Sequence, residues 1–161
     1  MTILENLSLA ENKGKPYLFG FAVNRKKCDQ YKEMVSKLGL GLEDKMNVPV
    51  GLLSGGQRQA LSLIMSTLTP MDLLLLDEHT AALDPKTAEV IMELSDKIVK
   101  EKNITTLMVT HNLRYAVEYG NRIIMMHNGE TVIDKSGEEK SSIKVDDLLE
   151  TFNSISIECG N

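Results

Sequence analysis

The chain has 161 residues, 42% of them hydrophobic, and a formal net charge of −5. That length suits one domain with a real core. The acidic balance and the absence of Trp argue against a nucleic-acid surface built on a basic field or on base stacking. No apolar run approaches the roughly 20 residues of a membrane-spanning helix. Met1-Thr2-Ile3-Leu4-Glu5 lacks the basic-then-apolar order of a signal peptide. Cys28 and Cys159 form no CxxC and have no nearby His, so they read as two reduced thiols. A cytosolic location follows as the default. Nine Met residues, Met125-Met126 among them, read as core filling.

In chain order, Thr2 and Glu5 form a capping box that opens a short helix with Leu4 and Leu7 on its inner face. Gly14, Pro16 and Gly20 make Lys13 to Phe21 a loop. A second helix begins at Arg25-Lys26-Lys27 and runs to about Leu38, with Tyr31, Met34, Val35 and Leu38 at helical spacing and Gly39 as its stop. The basic triplet reads as a solvated face, with contact to a membrane partner as the second reading. Gly41 to Val50 is loop, kept extended by Pro49.

Ser54 suits an N-cap for a helix from about Gly55 to Thr67, with Ala60, Leu61, Ile64, Met65 and Leu68 covering a wide apolar face. Leu73 to Asp77 is a continuous apolar run, the pattern of a parallel strand covered on both faces. Asp84-Pro85 is an N-cap followed by Pro at the first helical position, and that helix runs to about Lys100. Its stripe is Thr87, Ile91, Leu94 and Ile98. Then come a strand over Thr105 to Thr110, a short helix over Asn112 to Tyr119, and a hairpin. The hairpin joins Arg122–His127 to Glu130–Asp134 through Asn128-Gly129. Lys135 to Lys144 reads as a polar loop, and Val145 to Phe152 as a final amphipathic helix. Strands alternating with helices predict an α/β fold with a parallel sheet. Residues 1–52 hold no strand and are expected to form a separate helical portion beside 53–161.

Three groups carry chemistry. The first helix turn of Ser54-Gly55-Gly56 offers unpartnered N–H groups and the positive end of a helix dipole, without side chains to block approach. That suits a terminal phosphate, although Ser-Gly-Gly alone would read as a plain cap. Asp77 and Glu78 leave the carboxyl end of a buried strand, where α/β sheets place ligands. Alternation sends them to opposite sides. Asp77 suits a Mg²⁺ shell through water and Glu78 the polarisation of an attacking water. Taken alone, the pair would read as two solvated acids. His111 follows a second apolar strand and opens on the same edge, where an imidazole can bond a γ-phosphate and orient Glu78. His127 reads as structural, and the pattern leaves His79 unassigned.

Together these segments resemble the ATP-binding cassette (ABC) ATPases, from Met1 to about Phe152. Leu53-Ser54-Gly55-Gly56-Gln57, with Arg58-Gln59 after it, resembles the ABC signature; Leu73 to Asp77 resembles Walker B, Glu78 the catalytic glutamate, Ala82-Leu83-Asp84 the D-loop and His111 the switch histidine. The resemblance implies a P-loop-NTPase-like parallel sheet, present in part, with an N-terminal helical subdomain at 1–52 and a RecA-like core portion at 53–161. It implies ATP and Mg²⁺ as cofactors, and a head-to-tail homodimer. There Ser54, Gly55, Gly56 and Gln57 complete the other subunit's ATP site and Asp84 lies at the interface. It further implies a transmembrane permease partner, a solute-binding protein indirectly, no nucleic acid, and a peripheral place on the cytoplasmic face of the membrane.

Two departures qualify it. His79-Thr80-Ala81-Ala82 stands where most members have Pro-Thr-Ser. With Asp84-Pro85-Lys86-Thr87, this resembles a bacterial subgroup of importer ATPases grouped with uptake of aromatic amino acids or related small solutes. Second, the chain holds no G-x-x-x-x-G-K-[ST]. The expectation is a chain that begins inside the family domain: an expressed fragment, a shortened reading frame or a degenerate gene product. Such a chain is expected neither to bind ATP tightly nor to hydrolyse it alone, and to self-associate through uncovered strand surface. Two other readings are a non-transport ABC ATPase, and a non-enzymatic fragment that only binds a partner subunit.

Overall fold

The structure is a computed structural model that describes residues 1–14, 23 and 25–158, with side chains as far as Ser154. The chain forms two compact units, Met1–Leu107 and Met108–Asn161, divided within a strand. The predicted loop over Lys13 to Phe21 lies almost wholly outside the described residues, as does Cys159.

The first unit opens with α1 (Ile3–Glu11). Its capping box is the predicted one: Glu5 N donates to Thr2 Oγ1 at 3.3 Å and Thr2 N donates to Glu5 Oε2 at 2.8 Å. A 3₁₀ turn over Arg25–Lys27 leads into α2 (Cys28–Ser36). Two further 3₁₀ turns, Glu43–Lys45 and Val50–Leu52, interrupt the predicted loop, and Pro49 between them is extended at φ −58°, ψ 134°. Then follow α3 (Gly55–Ser66), β1 (Leu73–Asp77), α4 (Pro85–Lys102) and β2 (Thr105–Val109). The caps of α4 suit their residues. Asp84 accepts from Thr87 N at the start, and Asn103 takes the left-handed conformation at the end. β1 and β2 pair as a two-stranded parallel sheet, with α4 as the crossover.

One core joins these elements. Ile3 and Leu7 of α1, Tyr31 and Val35 of α2, Leu42, Leu61 of α3, Leu74 of β1 and Ile91 of α4 are all buried in a single cluster. Residues 1–52 thus pack on the same core as the helix that follows them. Within that region, Tyr31 and Lys27 close on one carboxylate: Tyr31 Oη donates to Glu11 Oε2 and Lys27 Nζ to Glu11 Oε1, both at 2.5 Å. Lys27 therefore leaves the solvated face expected of the basic triplet, while Arg25 and Lys26 keep to it.

β1 differs from expectation in its cover. Leu74 is buried, but Leu73 and Leu75 on the other face are 51% and 63% exposed, and Leu107 of β2 is 53% exposed. A continuous apolar run reports that a strand suits two-sided burial. The described residues place packed helices against one side only.

The second unit contains α5 (Leu113–Glu118), β3 (Arg122–His127), β4 (Glu130–Ser136), α6 (Gly137–Ser142) and α7 (Val145–Glu158). Asn128 and Gly129 both have positive φ, 49° and 81°, as a tight two-residue turn between twisted strands requires. The register slips between Met125 and Met126, and Met126 is 65% exposed, so it is not the core filler expected. The predicted polar loop over Lys135 to Lys144 is instead the end of β4 plus α6. Lys140 explains the difference. Its stem is buried and its ammonium donates to the Val117 carbonyl, so a residue that scores as polar anchors a helix. Burial pulls its pKa below the ordinary lysine value.

α3 and α4 approach closely at Gly56 and Thr87. A Cβ added at Gly56 would sit 2.2 Å from Thr87 Cγ2. Gly56→Ala is therefore expected to destabilise the chain by about 1–3 kcal/mol in urea unfolding. Gly56→Ala combined with Thr87→Ser, which removes the obstructing methyl, should recover most of that loss. A second expectation concerns Tyr31, whose pKa is pushed up to about 12 by burial and then by its bond to Glu11. The folded state holds this proton more tightly than the unfolded chain does. Its contribution to stability is therefore intact below pH ~10 and is lost as pH rises toward ~12. An absorbance titration should show one of the four tyrosines ionising late, and Tyr31→Phe should abolish that step.

Candidate active site

The start of α3 is built by reciprocal capping. Ser54 Oγ accepts from Gln57 N and Gln57 Oε1 accepts from Ser54 N, both at 3.2 Å. The Ser and Gln of the predicted anion site therefore form a capping box, with Gln in the place Glu often takes. Gln57 Nε2 also donates to the Leu40 carbonyl at 2.9 Å, which ties the helix start to the segment before it. The Ser54 oxygen accepts here, and its hydroxyl can still donate. Gly55 is exposed and Gly56 is buried. Gly55 lies against Leu83, whose Cδ2 would be 3.3 Å from an added Cβ, and Gly56 lies against Thr87. The two glycines thus do different work: one opens the helix end, and the other permits α4 to approach.

β1 carries Asp77 and Glu78 to the surface, where both are exposed. Alternation along a strand is not what separates them. The strand ends at Asp77, and Glu78 turns into the left-handed region at φ 41°. Its carbonyl accepts from Ala81 N at 2.9 Å, so Glu78 opens a tight turn, and Thr80 O accepts from Leu83 N at 3.1 Å just beyond. A non-glycine residue there stores on the order of 1–3 kcal/mol of strain, a cost commonly met at functional sites. The next residue, His79, is half-buried, and its Nε2 lies 3.1 Å from Ser95 Oγ on the buried face of α4. Burial holds its imidazole below the ordinary histidine pKa.

Asp84 closes the loop by capping α4. Its hydrogen bonds to the Thr87 side chain and backbone hold its carboxyl below the usual aspartate value. Gly55, Arg58, Gln59, Asp77, Glu78, His79, Ala82 and Leu83 line a cleft of about 340 Å³. The structure therefore brings the glycine end of α3 together with Asp77 at the end of β1 and Glu78 in the turn after it. Arg58 adds a guanidinium, anchored by a 2.6 Å bond to the Leu53 carbonyl. Sequence reasoning missed Arg58, Gln59 and His79 as cleft residues. Their signal was present only as position beside the recognised motifs.

His111 belongs to the second unit. It is exposed, one residue before Asn112, whose side chain caps α5 by accepting from Tyr115 N. His127 ends β3 opposite Glu130. Among the described residues, no three His, Cys, Asp or Glu side chains converge to hold a metal ion. Asp77, exposed at a strand end on the rim of the cleft, fits a water-mediated contact to Mg²⁺, which keeps most of its ligands as water and phosphate. Among the described residues, no helix is long and apolar enough to cross a membrane.

Known proteins resemble this chain in sequence and in fold. The chain is 54% identical to a tyrosine transport ATP-binding protein of Clostridioides difficile (strain R20291), over 94% of this chain and 60% of that one. It is 36% identical to a probable ABC transporter ATP-binding protein, PEB1C, of Campylobacter jejuni, over 82% of this chain and 52% of that one. The chain thus spans little more than half the length of these relatives. A crystal structure of a nucleotide-free ATP-binding cassette from an ABC transporter superposes with a TM-score of 0.71 at 24% identity, covering 100% of this chain and 64% of that one, which supports the fold. The ABC transporter family model matches residues 1–81, half of the chain. By that match and by these relatives, the chain belongs to the ABC transporter ATP-binding family.

Proposed function

We propose that the chain is part of the ATP-hydrolysing subunit of an ABC importer for a small solute, amino acids among the candidates. The observation that carries this is the cleft in which the glycine end of α3 meets Asp77 and Glu78. The similarity to a tyrosine transport protein supports the amino-acid class. In this reading, Glu78 polarises the attacking water and Asp77 holds Mg²⁺ through water. His111 bonds the γ-phosphate and orients the water. The Mg²⁺ supplies charge neutralisation at the phosphates.

Ser54, Gly55 and Gly56 act in trans, presenting the α3 dipole and N–H groups to a phosphate held by a second subunit. Gln57 holds that helix end in shape through its bonds to Ser54 and Leu40. Asp84, at the exposed start of α4, faces the subunit interface. Residues 1–52 form the helical portion that docks on a permease, and 53–161 the core portion. The permease keeps the subunit on the cytoplasmic face of the membrane, and a solute-binding protein delivers the solute.

A second reading is a polypeptide that acts only by binding a partner subunit. Two observations favour it: the 161 residues contain no G-x-x-x-x-G-K-[ST], and one face of β1 is bare apolar surface.

One experiment separates the readings. The chain is mixed with a complete cassette that carries an intact P-loop but a disabled signature serine, and Mg-ATP hydrolysis is followed. The chain alone should show no turnover and no micromolar Mg-ATP binding by calorimetry. Hydrolysis should appear in the mixture and fall by roughly 100-fold with Ser54→Arg, which blocks the phosphate-facing helix end. Glu78→Gln should leave this rescue intact, because the rescued site uses the partner's glutamate. A mixture that binds but stays inactive supports the partner-only reading. The bare strand face further predicts a dimer or larger oligomer by light scattering. A clean monomer at high concentration would count against it.

A further inference from the structure

We propose that His79 is a positioning residue, whose imidazole bond to Ser95 on α4 holds Glu78 in its left-handed conformation at the mouth of the cleft. The proposal rests on the reading of Glu78 as the water-polarising carboxylate only for its consequence, since the geometry stands by itself.

Glu78 has φ 41°, a region in which a residue with a Cβ is strained. Such a conformation persists only where its surroundings over-determine it. The backbone supplies one fastening, the 2.9 Å bond from Ala81 N to the Glu78 carbonyl. That bond lies within the turn and shapes it. A tie to α4 comes from the next residue, where His79 Nε2 lies 3.1 Å from Ser95 Oγ. Ser95 is buried, and its hydroxyl donates to the Ile91 carbonyl at 2.7 Å. Its proton is thus committed to the helix, and its oxygen is left to accept. The donor must be the imidazole, as the Nε2–H tautomer. Ile91 is itself fully buried in the core. The chain of contacts therefore runs from the core through Ile91 and Ser95 to His79, and from His79 by one peptide bond to Glu78.

The residue type matters for a second reason. A proline at 79, where most ABC members carry one, would fix its own φ and also restrict the residue before it to extended conformations. A histidine leaves Glu78 free to turn left-handed and then secures that turn from a side chain. His79 thus explains how this chain combines an unusual backbone at Glu78 with a rigid cleft wall.

The test is NMR of the full chain, isotopically labelled and without nucleotide, at mildly alkaline pH. In the wild type, the His79 ring nitrogens should report the Nε2–H tautomer, and Glu78 should show the intense amide-to-Hα cross-peak of a positive φ. Ser95→Ala should lose both signals, with His79 reverting to a tautomer mixture. Ser95→Thr, which restores the hydroxyl, should keep both. His79→Phe, which keeps ring bulk but removes the donor, should lose the Glu78 signal, and His79→Pro should move Glu78 to negative φ. A wild-type His79 that is not the Nε2–H tautomer overturns the proposal, even if every variant fails to fold. So does a Ser95→Ala protein that retains the Glu78 cross-peak. No readout involves nucleotide, so failure here is distinct from failure of the hydrolysis rescue.

Discussion

The close approach of α3 to α4 at Gly56 and Thr87 is the constraint on which the cleft depends. Thr87 is in the first turn of α4, and its backbone N–H is the one that Asp84 caps. Gly56 is in the first turn of α3, whose cap is Ser54. Two helix starts therefore meet where one has no side chain, and each is fixed by its own capping residue. Leu83 against Gly55 extends the same contact into the loop that leaves β1. A methyl at Gly56 would push apart two helices and, with them, the wall that carries Glu78. Read from the sequence, the α3 glycines clear a helix end for a phosphate. Here one of them is required by packing before any ligand arrives.

Much of this arrangement was legible in the sequence. Capping residues announced three of the helix starts, at Thr2, Ser54 and Asp84, because the chemistry of an N-cap is local and reads directly from residue type. The same locality made the Asn128-Gly129 turn readable. Long-range effects did not read through. The cover of β1 depends on what packs against each face, and an apolar run states only what the strand would accept. Lys140 shows the opposite case: a charged residue in a polar stretch reads as loop, whereas its burial and its bond to Val117 belong to a helix.

The site was legible in its motif residues and obscure in its geometry. Ser54, Gly55, Gly56, Asp77, Glu78 and Asp84 could be named from their types and order. That Glu78 leaves the strand by a left-handed turn could not, since nothing in a glutamate signals positive φ. His79 stood unassigned for a similar reason. Its partner, Ser95, is sixteen residues away on the next helix and meets it only once α4 has folded back over β1.

The first residues of the chain reach further than their position suggests. Val50 N donates to the Met1 carbonyl, Ile3 N to Val48 O and Leu4 N to Met46 O, so the opening of α1 is stitched to the segment that leads into Ser54. Any tag, fusion or longer polypeptide joined ahead of Met1 would emerge beside Val50, four residues from Ser54, the cap of α3. A spectroscopic label placed there would sense the capped start of α3 at close range, and a bulky, tightly spliced one would press on it.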